Sequence, residues 1–433
     1  MELKQCLDSR ILLLDGGTGT LLQARGLKSG ESPERWNVER REEMVAIHRA
    51  YYEAGADLVL ANTFGANRLK LRGCPYSVEE VVTAAVDNLR TARDQAGRGW
   101  LGLDVGPTGR LMAPMGELDF DQAVDAFSQV IRAGVRAGVD AVVIETMTDL
   151  HELKAAVLAA RECCDLPVLA TAAFGENGRL LTGGDGAALV SLLEGLGVSA
   201  LGLNCGAGPL QLSATVGGLL ELASVPVIFK PNAGMPRPEP DGTVRYDIDA
   251  DTFARAVAEM VRKGVRVAGG CCGTTPEHIA RLHAACGEWK PAAGSAKGQI
   301  WISSGAQALD VSAVDLREIV AIAVPEDPDD LLDEVFDRQD EGEPLLRLDF
   351  SESGLDPLEA VEAVQEVSRL PLWLEGAEAA RLERALRRCN GKAMVTVPAG
   401  EDGLPELLGR YGGVAWEAES GALTDYRRTQ GTN

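Results

Sequence analysis

Eight apolar runs punctuate the first 290 residues: ILLLDGG (11–17), ADLVLANTF (56–64), WLGLDVGPT (100–108), AVVIETM (141–147), PVLATAAF (167–174), ALGLNCG (200–206), PVIFKPNAG (226–234) and VRVAGGCCG (265–273). Runs this short, rich in Val, Ile, Leu and Ala, predict strands buried on both faces in a parallel sheet. The segments between them, such as EEMVAIHRAYYEAG (42–55) and FDQAVDAFSQVIRAGVRAG (120–138), carry apolar residues at helical spacing and end in glycine. Eight strand–helix units in about 290 residues match a (β/α)₈ TIM barrel in number and length. An open doubly wound sheet is the alternative arrangement of the same units.

Each run begins apolar and ends in something chemical: Asp15, Asn62–Thr63, Asp104, Glu145–Thr146, Thr171, Asn204–Cys205, Asn232 and Cys271–Cys272. In a barrel of this kind the active site is built from the C-terminal strand ends and the loops after them. A turn residue at a strand end explains one or two of these positions; eight converging on one rim predict a site.

The sulfurs sharpen that expectation. Strand 8 of a barrel closes beside strand 1 and lies two places from strand 6, so Cys205 can face Cys271 and Cys272 across the mouth. Three thiolates without a fourth protein ligand describe an open zinc site, and soft sulfur ligands select zinc among common cytosolic metals. Neighbouring residues of an extended strand point to opposite faces, and the glycines around Cys271–Cys272 would relax that rule. Buried core thiols and redox chemistry are the other readings of the same residues, because 66 positions between ligands is no standard zinc spacing. A second vicinal pair, Cys163–Cys164, precedes strand 5 at the opposite end of the barrel and reads as structural. An open thiolate zinc could accept a substrate sulfur and lower its pKa, which suits alkyl transfer to sulfur better than hydrolysis.

Composition narrows the setting. The N-terminus has no apolar signal core, and nine cysteines at irregular spacing argue against a disulfide framework, so a cytoplasmic protein is expected. Only four histidines are available as alternative ligands. A net charge of −23 excludes nucleic acid as an expected partner. Residues 299–433 hold 28 Asp and Glu against 12 Lys and Arg. That excess is either a well-solvated surface or a docking face for a basic partner. The expected organisation is a barrel over residues 1–289, a Gly/Ala-rich linker over 290–299 and a smaller α/β domain over 300–433. In the last, WISSGA, PLLRLDF, LPLWLEG, AMVTV and VAWEA predict strands, with helices around 328–341, 356–368 and 377–389.

The stretches ILLLDGGTGTLLQARG, ADLVLANTFGANRLKL, DVGPTGRL, IETMTDLHELKAA, GVSALGLNCGAGP, KPNAGMP and GGCCGTTPEHI resemble, in sequence and order, the homocysteine S-methyltransferase family. They are most similar to the homocysteine-binding module at the N-terminus of cobalamin-dependent methionine synthase. The resemblance covers residues 8–288 and implies a zinc-bearing barrel that methylates the thiol of homocysteine. It implies Cys205, Cys271 and Cys272 as zinc ligands, with Asp15, the amides of Gly16 and Gly17, Thr63 and Glu145 holding the amino-acid end of homocysteine. Asn204 and Asn232 are implied to orient ligands or substrate. Residues 300–433 resemble part of a pterin-binding barrel, but about 135 residues cannot close eight strands. Such a half-barrel is expected to pack its open face on the first domain or a partner.

Three donors fit the resemblance: a methylated corrinoid protein acting in trans, S-methylmethionine, or methylfolate used directly. A non-catalytic zinc or scaffold protein is the reading of another class, against which the retained substrate-holding positions speak. Selenohomocysteine or another thiol would also fit as acceptor. Two further motifs are set aside. GGTGTLL has Leu22 where a dinucleotide-binding turn needs glycine, and Asp149-Leu-His151 lacks the glycine of a cobalamin-ligating stretch.

Overall fold

The computed structural model of the chain describes residues 3–28, 30–235, 237–238, 244–287, 298–352 and 354–427. Residues 290–297 of the expected linker lie outside them. The chain divides into two compact units: residues 1–148, 155–181 and 198–295 form the first, and residues 149–154, 182–197 and 296–433 the second.

All eight apolar runs become strands of the first unit: β1 (Leu12–Leu13), β2 (Leu58–Leu60), β3 (Trp100–Val105), β4 (Ala141–Met147), β5 (Val168–Ala172), β6 (Ala200–Asn204), β7 (Val227–Lys230) and β8 (Val267–Ala268). They pair in parallel in the order β1-β8-β7-β6-β5-β4-β3-β2, and a bridge between Leu14 and Leu58 brings the two ends together. The result is a TIM barrel. Each strand is followed by its helix: α1 (Arg41–Glu53), α2 (Val78–Ala96), α3 (Phe120–Ala137), α4 (Leu150–Cys163), α5 (Gly186–Gly195), α6 (Ser213–Leu222), α7 (Ala250–Lys263) and α8 (Pro276–Cys286). Of these, α5 and the first turn of α4 group with the second unit. No helix among the described residues is long and apolar enough to cross a membrane.

Two aspartates stitch the short β1–β2 seam where ladder bonds run out. Asp57 accepts from the Leu13 amide at 3.0 Å and is itself held by Arg10 at 2.9 and 3.0 Å. At the other end Asp15 accepts from the Leu60 amide at 2.8 Å. The barrel interior is filled by Leu12, Leu14, Leu58, Leu60, Val143, Leu169, Ile228 and Val267. Leu3 and Leu7 of the N-terminal helix Leu3–Ser9 join them against the strand starts. One end of the barrel is therefore closed with apolar packing, and the polar strand ends keep the other.

The second unit carries five parallel strands in chain order, β11 (Ala321–Ala323), β12 (Leu346–Asp349), β13 (Leu372–Glu375), β15 (Met394–Val397) and β16 (Gly413–Glu417), with β17 (Leu423–Tyr426) antiparallel at one edge. Helices α9 (Pro328–Asp340), α10 (Pro357–Val367), α11 (Ala379–Arg388) and α12 (Gly403–Tyr411) connect the parallel strands. WISSGA does not begin this series. Its strand β9 (Trp301–Ser304) pairs antiparallel with β10 (Ala308–Asp310) and β14 (Gly391–Lys392). The open face expected to need a partner is covered from within the unit: Ile302, Val311, Leu316 and Ile319 pack on Trp373, Met394 and Val414. The polar groups on that face are spent on one another. Arg347 binds Glu375 through two 2.8 Å hydrogen bonds and stacks 4.1 Å over Trp373, whose indole donates to Thr396.

Candidate active site

Seven of the eight strand ends meet at a cavity of about 240 Å³ whose lining includes Asp15, Gly16, Gly17, Asp104, Glu145, Lys230, Cys205, Cys271 and Cys272; Thr171 of β5 is buried behind it, donating to Asn204. The Sγ atoms of Cys205, Cys271 and Cys272 lie within 4.8 Å of one another, and Cys205 and Cys272 are 4.0 Å apart. Cys163 and Cys164 stand outside this cluster; the Cys163 thiol faces the Ser128 carbonyl at 3.9 Å.

Backbone geometry aims the sulfurs. Among the described residues only two non-glycine positions have a left-handed backbone, Thr146 (φ 62°) and Cys205 (φ 59°), and both line the cavity. Such conformations persist where surrounding contacts over-determine them. At Thr146 the fixing residue is Asn204, fully buried at the end of β6. Its Oδ1 accepts from the Thr146 amide at 2.7 Å and the Thr171 hydroxyl at 2.8 Å, while its Nδ2 donates to Thr146 Oγ1 at 2.7 Å and faces Cys271 Sγ at 3.8 Å. Asn232 supports the other pair, accepting from the Cys272 amide at 3.1 Å. Both asparagines stand behind the sulfurs and are not part of the cavity lining. The chain then turns through Gly273 (φ 79°) under the ring of Tyr246, a position at which any side chain would collide.

Each thiol resists ionising by itself. For Cys205 the hydrogen bond from Cys271 lowers the pKa, but the contact with Cys272 and burial prevail and push it up to about 11. Cys272 is favoured by Cys205, then raised by Cys271 and by burial to about 12. A divalent cation between them would remove that penalty, and its binding would release protons.

At the other end of the cavity the charges crowd. The ladder between β4 and β5 slips between Ile144 and Met147, the irregularity that turns Glu145 and Thr146 toward the mouth. Lys230, in register with Asn204, donates to Glu145 Oε2 at 2.8 Å and lies 3.5 Å from Asp15 Oδ1. Burial opposes its ammonium, yet Glu145 and Asp15 outweigh it and hold the pKa well above that of a free lysine. Burial raises Asp15 to about 6 despite Lys230 and the Leu60 amide. Asp104 is pushed well above the carboxylate range by burial first and by Glu145 second. Thr63 is engaged already: its hydroxyl donates to the Asp104 carbonyl at 2.7 Å and accepts from the Asp104 amide at 3.1 Å. The Gly17 amide likewise donates to Thr274 Oγ1 at 3.1 Å, and a Cβ on Gly16 would meet that same oxygen at 2.6 Å.

Lys230 is the cavity residue that pattern reading passes over, because it sits inside an apolar run; a lone lysine within a buried strand was the available signal. The raised carboxylates also set a pH dependence. Asp15 and Asp104 keep protons in the folded state that the unfolded chain has released, so their stabilising effect is present at low pH and lost as pH rises through the folded values. The melting temperature of the metal-free protein is therefore expected to fall as pH rises from about 4 through about 6, where Asp15 gives up its proton, and Asp104→Asn should reduce the fall. Thermal melts across this range check it.

Comparison with known proteins agrees with this geometry. A polar-rimmed parallel barrel defines an enzyme scaffold of the TIM class, and the profile of the homocysteine S-methyltransferase family matches residues 12–286. The chain belongs to that family and is a methyltransferase by class. It is 30% identical to methionine synthases of Mycobacterium tuberculosis, over 440 residues, and Mycobacterium leprae, over 447 residues. Each alignment covers 93% of this chain, which spans 36% of the length of either relative. Among solved structures, the homocysteine methyltransferase MmuM of Escherichia coli in its metallated form is similar with a TM-score of 0.55 and 25% identity, covering 63% of this chain and 96% of that one.

Proposed function

We propose that the barrel is a zinc-dependent enzyme that transfers a methyl group to the thiol of L-homocysteine, giving L-methionine. The observation that carries this reading is the convergence of three cysteine sulfurs at the mouth of a barrel of this family. The donor set suits the metal: three soft sulfurs, crowded and half-buried, with no fourth protein ligand in the cluster among the described residues. Zinc held by Cys205, Cys271 and Cys272 would supply Lewis acidity to an entering thiol, lowering its pKa so that it is a nucleophile near neutrality. The protein's own residues do the rest. Asn204 and Asn232 hold the ligand-bearing strand ends in place. Asp15, Gly16, Gly17 and Glu145, which line the cavity, would hold the amino-acid head group, with Thr63 behind them bracing the backbone of Asp104. Nine free cysteines fit a reducing, cytoplasmic setting.

The donor we favour is a methylated corrinoid protein acting in trans. Exposed apolar side chains of the first unit support a macromolecular donor: Leu111 and Met115 follow β3, Leu181 follows β5, Leu210 follows β6, and Met235 and Val244 follow β7. All stand on the loops that frame the mouth, where a carrier domain would dock and a small donor would need none of them. Zinc-loaded protein given homocysteine and, separately, methylcobalamin, S-methylmethionine or methylfolate should form methionine from methylcobalamin. Methionine from a small donor alone would reassign the donor. Failure with every donor would leave a metal-holding scaffold instead of an enzyme.

A further inference from the structure

Each sulfur of the cluster has a hydrogen-bond donor of its own. The Gly206 amide donates to Cys205, and Asn204 Nδ2 donates across 3.8 Å to Cys271 Sγ. The third donor comes from the loop after β7, where the Tyr246 hydroxyl donates to Cys272. A neutral thiol gains little from a donor, whereas a thiolate held out of water is stabilised by one. One donor per sulfur is the pattern that three charged ligands require, and three core thiols would not.

The backbone that carries Tyr246 is pinned just beyond it. The Ile248 amide donates to the Ala233 carbonyl at 2.9 Å, and the Ile248 carbonyl faces His278 Nε2 at 3.2 Å. The ring itself lies against Gly273, the residue after Cys272, where any Cβ would collide with it. Tyr246 is not part of the cavity lining, so its hydroxyl leaves the open side of the cluster to the acceptor.

We propose that Tyr246 is a positioning residue of the metal site, whose hydroxyl holds Cys272 as a charged ligand and tempers the electron density that this sulfur gives the metal. The inference rests on the reading of the cluster as a zinc site and adds a residue that sets how tightly the metal is kept. Three thiolates around a divalent cation leave negative charge in excess, and a donor on one sulfur draws off part of it. The metal then polarises an entering thiol more strongly. Outer-shell partners of this kind change metal affinity by about 10- to 100-fold.

Tyr246→Phe removes the hydroxyl and keeps the ring over Gly273. Its zinc affinity, measured by competition with a chromophoric chelator, should fall by at least about 10-fold. In the cobalt(II)-substituted variant the sulfur-to-metal charge-transfer band should move to longer wavelength, because a sulfur without its donor gives up an electron more readily. Tyr52→Phe removes a hydroxyl that donates to the Trp100 carbonyl at 2.8 Å, and as the matched control it should change neither reading. If Tyr246→Phe keeps wild-type zinc affinity while Tyr246→Ala loses it, the ring is a packing element only and the proposal falls. An unshifted band in Tyr246→Phe overturns it equally, whatever the affinity. If the wild-type protein binds neither zinc nor cobalt, the zinc reading itself fails and takes this inference with it.

Discussion

Replacing Cys272 with alanine is expected to abolish zinc retention and to reduce methyl transfer to below about a thousandth of wild type, a loss of roughly 4 kcal/mol or more in transition-state stabilisation. The reason is geometric. The cluster has three sulfurs, and removing one leaves two thiols at the edge of a cavity with no other cysteine, histidine or acid close enough to complete the set among the described residues. The variant should still fold, because Cys272 is only partly buried and its amide bond to Asn232 involves no side-chain atom of the cysteine. Cys163→Ala is the matched control: it removes a thiol of the other vicinal pair and should leave both metal content and activity unchanged. Metal analysis after gel filtration reads both variants directly. If Cys272→Ala retained stoichiometric zinc, the three cysteines would be core thiols.

Gly202→Ala should be the most damaging single methyl in the barrel. Gly202 pairs with Ile228 across β6 and β7, and a Cβ there would stand 2.0 Å from the Ile228 carbonyl oxygen and 2.7 Å from its amide nitrogen. Both obstacles are backbone, so the strands themselves must separate. Overpacking of this kind costs about 3 kcal/mol or more. Asn204 ends the same strand two residues further on and Cys205 follows it, so zinc affinity should fall together with stability. Gly217→Ala in α6 meets nothing within 4 Å and should be neutral or stabilising by up to about 1 kcal/mol. Urea titration of the two variants distinguishes the effects.

The two layers of this molecule differ in how far the chain alone reveals them. Strands β1–β8 are legible because a strand buried on both faces must be written almost wholly in apolar residues, as in AVVIETM and ALGLNCG. Their polar ends then locate the rim without further information. What stays hidden is everything set by pairing across long separations. The ion pair of Lys230 with Glu145 spans 85 positions, and nothing local in PVIFKPNAG names its partner. The left-handed turn at Thr146 is held by Asn204, 58 positions further along the chain. In the second unit, AIA (321–323) is too short and too exposed to stand out as a strand. β9 forms a local antiparallel hairpin with β10, and its second partner, Gly391–Lys392, lies nearly 90 residues away.

Loaded with zinc, the cysteine cluster is expected to hold the acceptor sulfur without its proton. Proton release on binding tests it most directly, by calorimetry of homocysteine into zinc-loaded protein in buffers of different ionisation enthalpy. A free thiol is mostly protonated near neutrality, so about one proton should be released per homocysteine at pH near 7. Cys272→Ala should release none. Tight binding of homocysteine to the zinc-loaded wild type with no proton released would contradict the account.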